Sequence, residues 1–187
     1  MSDVVREGYG RNSFDEWKQR VVGDPRDAGC ELLASKLAPD ARVLDLGCGV
    51  GEPGIARFRV TGVDLVPRAE GVIEADFLEL ELPDASFDAC VSFYVFNHVP
   101  RGRLPELLAK IRRWLVPGGW FMHAFGTSDT EAWVGEWLGA PNVFSSFPPE
   151  VNSRLVHEAG FEIERDELVT FREPEGDATF QWILARR

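Results

Sequence analysis

Over the first 38 positions apolar residues recur at helical spacing. Phe14, Trp17 and Val21 fall at i, i+3 and i+7, and Ala28, Leu32, Leu33 and Leu37 continue such a stripe. Gly23-Asp24-Pro25 divides this stretch into two helices, with Asp24 as N-cap and Pro25 at the first helical position. Short apolar runs then predict strands at 42–46, 59–64, 72–75, 89–93 and 120–124. Between the last two, Leu104, Leu107, Leu108, Ile111, Trp114 and Leu115 share one face of a helix over 104–115, which Pro117-Gly118-Gly119 ends. Shorter helices are predicted over 129–138 and 149–159, the second closed by Gly160 at its C′ position. Two β-rich stretches, 161–171 and 179–185, flank the turn Glu173-Pro174-Glu175-Gly176-Asp177 and predict an antiparallel hairpin. Strands alternating with helices, then a hairpin, imply an α/β fold with a mostly parallel sheet and one reversed strand.

The 187 residues suit a single domain, with residues 1–38 as a helical cap or lid and residues 39–187 as the main body. Charge narrows the partners. Twenty basic residues against 31 acidic give a net charge of −11, which argues against nucleic acid, whose non-specific affinity comes from Lys and Arg. No run approaches the ~18 apolar residues of a membrane span, and the first residues lack an apolar leader. Cys30, Cys48 and Cys90 form no C-x-x-C pair, so neither a disulfide framework nor a metal centre is expected. A cytoplasmic protein follows, with no metal and a small molecule as its substrate.

Val43-Leu44-Asp45-Leu46-Gly47-Cys48-Gly49-Val50-Gly51 is an apolar strand running into three glycines spaced two apart. Fifteen residues after Gly49 the next strand ends in Asp64. Glycines at a strand–helix turn let backbone amides approach a ligand, and an acid at the next strand tip accepts hydrogen bonds from ribose hydroxyls. Gly49-Val50-Gly51-Glu52-Pro53-Gly54 satisfies G-x-G-x-x-G, so a nicotinamide dinucleotide is one candidate. Asp45, two residues before Gly47, can fix the loop or face a cationic amino group, and no Tyr-x-x-x-Lys or His/Asp pair for hydride transfer follows.

These residues resemble the class I S-adenosylmethionine-dependent methyltransferases over about residues 40–187. Asp45-x-Gly47-x-Gly49-x-Gly51 looks like the first motif, which cradles the amino-acid part of the cofactor. Asp64 matches the ribose acid, and Ala75-Asp76-Phe77 the adenine-binding turn. Residues 87–93 match the fourth strand, leading into an active-site segment at 94–100, and residues 115–121 match the helix–turn–fifth-strand segment. The resemblance implies a Rossmann-like, doubly wound, mostly parallel seven-stranded sheet with the C-terminal antiparallel hairpin. It implies S-adenosyl-L-methionine as cofactor, S-adenosyl-L-homocysteine as product, and a cofactor set completed by Cys48, Leu65 and Phe93. Tyr9 resembles an N-terminal tyrosine that covers the cofactor. His98, just beyond the fourth strand, is the candidate base or acceptor contact. His123 is expected in the core and His157 on the surface. Phe93, Tyr94, Phe96, Phe125, Trp133, Trp137, Phe144 and Phe147 gather where an apolar acceptor pocket would sit.

Two connections depart from the pattern. Eleven residues separate Gly47 from Arg59, and six separate Leu65 from Val72, where parallel strands normally need a helical crossover of about 10–12 residues or more. Six extended residues reach about 20 Å, enough to return along a five-residue strand of about 16 Å, but only as a bare loop. Missing residues, a shortened form of the fold, or a partner subunit (a homodimer) over the open face each account for this. The shortening also leaves open a second function: a degenerate domain that binds cofactor or partner without catalysis.

Overall fold

The computed structural model describes residues 1–11 and 13–187. The N-terminal stretch forms α1 (Ser2–Arg11), α2 (Phe14–Lys18) and α3 (Arg26–Ala34). Two helices were expected; Asn12 lies outside the described residues. The break before α3 is where Gly23-Asp24-Pro25 placed it, and the Asp24 carboxylate accepts a hydrogen bond from the Arg26 amide at 3.0 Å. The helix itself starts at Arg26, one residue later than expected, with Pro25 as N-cap.

Then follow β1 (Arg42–Leu46), β2 (Arg59–Asp64), β3 (Ile73–Glu74), β4 (Phe87–Phe93), α4 (Leu104–Trp114), β5 (Leu115–Gly126), β6 (Thr130–Trp137), β7 (Ala140–Ser146), α5 (Pro149–Glu158), β8 (Glu162–Glu173) and β9 (Gly176–Arg186). Seven strands form one sheet in the order β3-β2-β1-β4-β5-β9-β8. Pairing is parallel from β3 to β5 and antiparallel on both sides of β9, as expected.

The alternation along β1 explains the layering. Leu44 and Leu46 face one core with Cys90, Phe121 and the α4 residues Leu107, Leu108, Ile111 and Trp114. Val43 faces the other, with Cys30 and Leu33 of α3, Val91, Met122 and Leu184. Both faces of the central strands are covered, which is why β1 and β4 read as continuous apolar runs. Each fully buried Leu, Ile or Phe here contributes about 1.5–3 kcal/mol.

One element differs in kind. The stretch expected as a helix over 129–138 is β6, paired antiparallel with β7. Leu138 and Gly139 connect them, both with positive φ (53° and 76°), the signature of a two-residue type I′ hairpin. Gly135 within the stretch is a poor helix former, and pairing with β7 decides the outcome.

The short connections close as they stand. Between β1 and β2 only a 3₁₀ turn forms, Pro53–Ile55, whose Ile55 is buried in the α3 core. Between β2 and β3 the chain crosses with no helix, and the strands pair at Val63–Ile73 and Asp64–Glu74. The cost is visible at the sheet edge, where Val60 and Ile73 stay 38% and 41% exposed.

The N-terminal helices occupy the C-terminal ends of the parallel strands. Ser2 donates to the Asp76 carboxylate at 2.5 Å, and Arg6 to the Leu65 carbonyl at 2.8 Å. Residues 19–25 form a strap that joins β8 through paired backbone bonds between Val22 and Arg172.

Candidate functional site

Cap, strap and strand ends enclose a cavity of about 360 Å³. Of the residues singled out from the sequence, Tyr9, Gly47, Cys48, Gly49, Asp64, Leu65, Asp76, Phe77, Phe93 and His98 line it. Asp45 and Gly51 do not: Asp45 is buried behind the glycine turn, and Gly51 lies beyond the wall.

The turn itself depends on glycine. Gly47 has φ +72°, and a Cβ there would lie 2.5 Å from a methyl of Val95. Gly49 has φ +55°, but a Cβ there would meet no protein atom within 4 Å. The first glycine lets protein approach protein; the second leaves open space beside the backbone. Asp64 ties this turn to the tip of β2. One carboxylate oxygen accepts from the Gly49 amide and the other from the Val66 amide, both at 2.7 Å. Each oxygen keeps a lone pair for a hydroxyl donor.

Asp45 is 3% exposed, and its Oδ2 has no hydrogen-bond partner among the described residues. Burial pushes its carboxyl up to about 7, the Glu52 and Asp64 charges add to this, and Lys18 and Arg26 oppose it. A buried carboxylate oxygen without a partner fits a ligand that brings a cationic donor.

Asp76 accepts from Ser2 and, at 2.9 Å, from the Leu78 amide. Phe77 is both core and wall: 8% exposed, its ring lies 6.0 Å from Phe96. Cys48 is a poor nucleophile, its thiol pushed up to about 12 by burial.

His98 is buried in the cavity wall. Its Nδ1 lies 2.8 Å from the Val143 carbonyl and its Nε2 2.9 Å from the Tyr9 hydroxyl. A carbonyl only accepts, so Nδ1 carries the hydrogen and Tyr9 donates to Nε2. Burial holds the imidazole down to about 4, so it is neutral near pH 7. Its basic lone pair is thus occupied by Tyr9. His123 is fully buried, stacked 3.8 Å from Phe96, and His157 is exposed, both as expected.

The expected aromatic cluster divides. Phe93, Tyr94, Trp137 and Phe144 line the cavity; Phe96 and Phe125 belong to the core, and Trp133 is 42% exposed on β6. Trp137 holds the cap through Tyr9 at 6.0 Å and Trp17 at 5.4 Å. Arg68, from the bare β2–β3 loop, donates to the Tyr9 carbonyl at 2.6 Å and pairs with Asp15 at 2.7 Å. This helix-free loop therefore holds the cap.

Several lining residues were not foreseen: Lys18, Asp24 and Arg26 near the strap, and Phe171, Glu173 and Phe180 on the β8–β9 hairpin. Arg26 pairs with Asp24 at 2.6 Å and with Glu52 at 3.6 Å, and Tyr94 donates to Asp24 at 2.8 Å. Tyr94 sits at φ +66°, an uncommon conformation for a residue other than glycine, directly after β4. That strain was the one local signal, and it is not visible in the residue type.

A family profile described as "Methyltransferase domain" matches residues 14–165. A sterol 24-C-methyltransferase from Gibberella zeae is 37% identical over 106 residues, covering 46% of this chain and 27% of that protein. A botryococcene C-methyltransferase from Botryococcus braunii is 25% identical over 178 residues, covering 80% of this chain and 44% of that protein. The chain thus spans under half the length of these two relatives. Among solved structures, a Burkholderia thailandensis 1,6-didemethyltoxoflavin-N1-methyltransferase with bound 1,6-didemethyltoxoflavin and S-adenosylhomocysteine has a TM-score of 0.74. The two are 23% identical, and the match covers 100% of this chain and 86% of that one. A Methanosarcina mazei S-adenosylmethionine-dependent methyltransferase has a TM-score of 0.70 at 18% identity, covering 83% and 96%.

Proposed function

This chain belongs to the methyltransferase-domain family, and from that premise we propose that it transfers a methyl group from S-adenosylmethionine to a small-molecule acceptor. The observation that carries this is the unpartnered buried Oδ2 of Asp45 behind a glycine turn with open space at Gly49. A ligand carrying both a cationic amine and a ribose matches Asp45 and Asp64, which lie on neighbouring strand tips. Asp76 and Phe77 receive the adenine, and Gly47, Cys48 and Gly49 the amino-acid end, with Asp45 acting from behind the turn and Gly51 completing the turn outside the cavity lining. Lys18, a lining cation without an ion-pair partner among the described residues, matches its carboxylate. Leu65, Phe93 and Tyr9 supply walls and cover.

When bound, the cofactor supplies a methyl group on a positively charged sulfur that leaves as a neutral thioether, while the acceptor's electron pair forms the new bond and takes over the charge. The protein's part is alignment and exclusion of water. The cap, closed by Tyr9, Phe14, Trp17 and Trp137, serves the second. His98 acts by holding Tyr9 and reaches acceptor chemistry only through that hydroxyl. The apolar walls suit an apolar acceptor, in keeping with the sterol and botryococcene named for the relatives. The short connections that suggested a binding-only domain leave β1, β2 and β4 in register, so they give no ground for preferring it.

Residues 1–38 act as the cap of a single domain. Among the described residues no helix is long and apolar enough to cross a membrane. The acidic surface and three free cysteines suit a reducing cytoplasm, and a homodimer would bury the open edge at Val60 and Ile73. Calorimetric titration tests the main reading: S-adenosylhomocysteine binds and NAD does not. Absence of binding to S-adenosylhomocysteine overturns it.

A further inference from the structure

One carboxylate in the cavity has no task in cofactor binding. Glu173, the last residue of β8, lines the cavity half-buried and makes no hydrogen bond or ion pair through its side chain among the described residues. Its acidic neighbours are engaged elsewhere, and Lys18, which lines the same cavity, is assigned above to the cofactor carboxylate. Asp24 is paired with Arg26 and accepts from the Tyr94 hydroxyl, and Glu175 accepts from the Trp17 indole at 2.7 Å. Glu173 shares the cavity with three aromatic rings. Phe171 and Phe180 stack at 5.6 Å, and Tyr94 meets Phe180 edge-on at 4.6 Å and Phe171 at 5.8 Å. All three rings line the same cavity.

Aromatic faces and an uncompensated carboxylate share one preference, which is for positive charge. We propose that Glu173, with Tyr94, Phe171 and Phe180, forms the acceptor end of the site and takes a neutral, largely apolar acceptor whose methylated form is a cation. This rests on the methyl-transfer reading above. An acceptor that is neutral before the reaction carries one positive charge after the new bond forms. The rings and the Glu173 carboxylate then supply the counter-charge that water would otherwise give. Where the methylated acceptor returns to neutrality, its proton passes to the carboxylate, which becomes a carboxylic acid. An anionic acceptor such as a phenolate would meet Glu173 with no paired cation beside it.

Geometry and proton affinity agree. Burial raises the Glu173 carboxyl to about 7, and the Glu175 and Asp24 charges add to it. A carboxyl near the working pH both holds and releases a proton readily. His98 lacks this, with its lone pair already engaged by Tyr9.

The test uses two probes of the same shape, phenyltrimethylammonium and the uncharged tert-butylbenzene, titrated against the full chain saturated with S-adenosylhomocysteine. Wild type is expected to prefer the cation by tenfold or more. Glu173→Gln should cut that preference to twofold or less while leaving S-adenosylhomocysteine affinity within twofold, and Phe180→Leu should reduce it partially. Wild type that binds S-adenosylhomocysteine but shows no preference overturns this assignment and leaves methyl transfer standing. So does a Glu173→Gln variant that keeps the full preference. Failure of wild type to bind S-adenosylhomocysteine overturns the reading beneath it, and this one with it.

Discussion

The two ends of the cavity are built by different means. At the cofactor end, the glycine turn, Asp45 and Asp64 sit on the tips of β1 and β2, fixed by strand register and by amide-to-carboxylate bonds of 2.7 Å. At the cap and acceptor end, α1, the strap and two hairpins meet through rings 4.6 to 6.0 Å apart and a few side-chain bonds. The first is held by backbone, where one wrong atom strains the chain. The second is held by many weak contacts, each replaceable. Mutations at the cofactor end should therefore cost binding sharply, and those at the cap should cost little apiece.

The largest contrast is expected at Gly47. Valine there must adopt φ near +72° and place its Cβ 2.5 Å from Val95. Strain and overpacking together cost about 4 kcal/mol or more. Gly47→Val should unfold at a far lower denaturant concentration and bind no S-adenosylhomocysteine; near-normal stability and binding would show that the turn does not need the left-handed Gly47 or its clearance from Val95.

Asp45 comes next, because its burial opposes stability and favours ligand. Its folded carboxyl is raised by burial to about 7 from the ordinary 3.8 of a solvated aspartate. Between those values the folded chain holds a proton that the unfolded chain has lost. Stability therefore falls as pH rises from about 4 to 7, by up to about 4 kcal/mol for this group. Asp45→Asn should remove most of that slope and raise the unfolding midpoint at pH 7.5, while S-adenosylhomocysteine affinity drops. Because a bound ammonium favours the ionised carboxylate, wild-type binding near pH 6.5 should release a proton, seen by calorimetry in buffers of different ionisation heat. Uptake instead would place the amine elsewhere.

Asp64→Ala follows. It removes the acceptors of two backbone amides and, on the proposed reading, of the ribose hydroxyls, so affinity for S-adenosylhomocysteine should fall by about 1.5–3 kcal/mol, with adenine alone affected less. Equal losses for both ligands would mean that only loop order is being measured.

The same division explains what the sequence made legible. That the glycine turn, Asp64 and the Ala75-Asp76-Phe77 turn would meet at one cavity was readable because strand ends and turns there are marked by a few adjacent residues. The sheet was readable because β1 and β4 are buried on both faces. The β6–β7 hairpin was not: Glu131, Ala132, Trp133 and Val134 carry no helix-breaking residue, and the decision belongs to pairing with β7 and to a Leu138-Gly139 turn that lacks the usual Asn or Asp. Glu173 was hidden for another reason. It looked like one acid in an acidic turn, and only the folding of residues 17–26 and β4 against that turn makes it part of a cavity. Arg68 shows the converse, since a connection that reads as too short carries the cation that fastens the cap.

The smallest effect is predicted at the cap, and it tests His98 most directly. Tyr9→Phe keeps the ring contacts with Phe14 and Trp137 but removes the hydroxyl that donates to His98 Nε2. Loss of one such bond costs about 0.5–1.5 kcal/mol, and S-adenosylhomocysteine affinity should change by less than threefold. The His98 imidazole, still donating through Nδ1 to Val143, should keep its neutral tautomer, with its Nε2 nitrogen resonance shifting as the donor is lost. A shift at Nδ1 instead would mean that Tyr9 sets the tautomer. Unchanged resonances would show that the two groups do not meet in solution, and that the cap rests on its aromatic contacts alone.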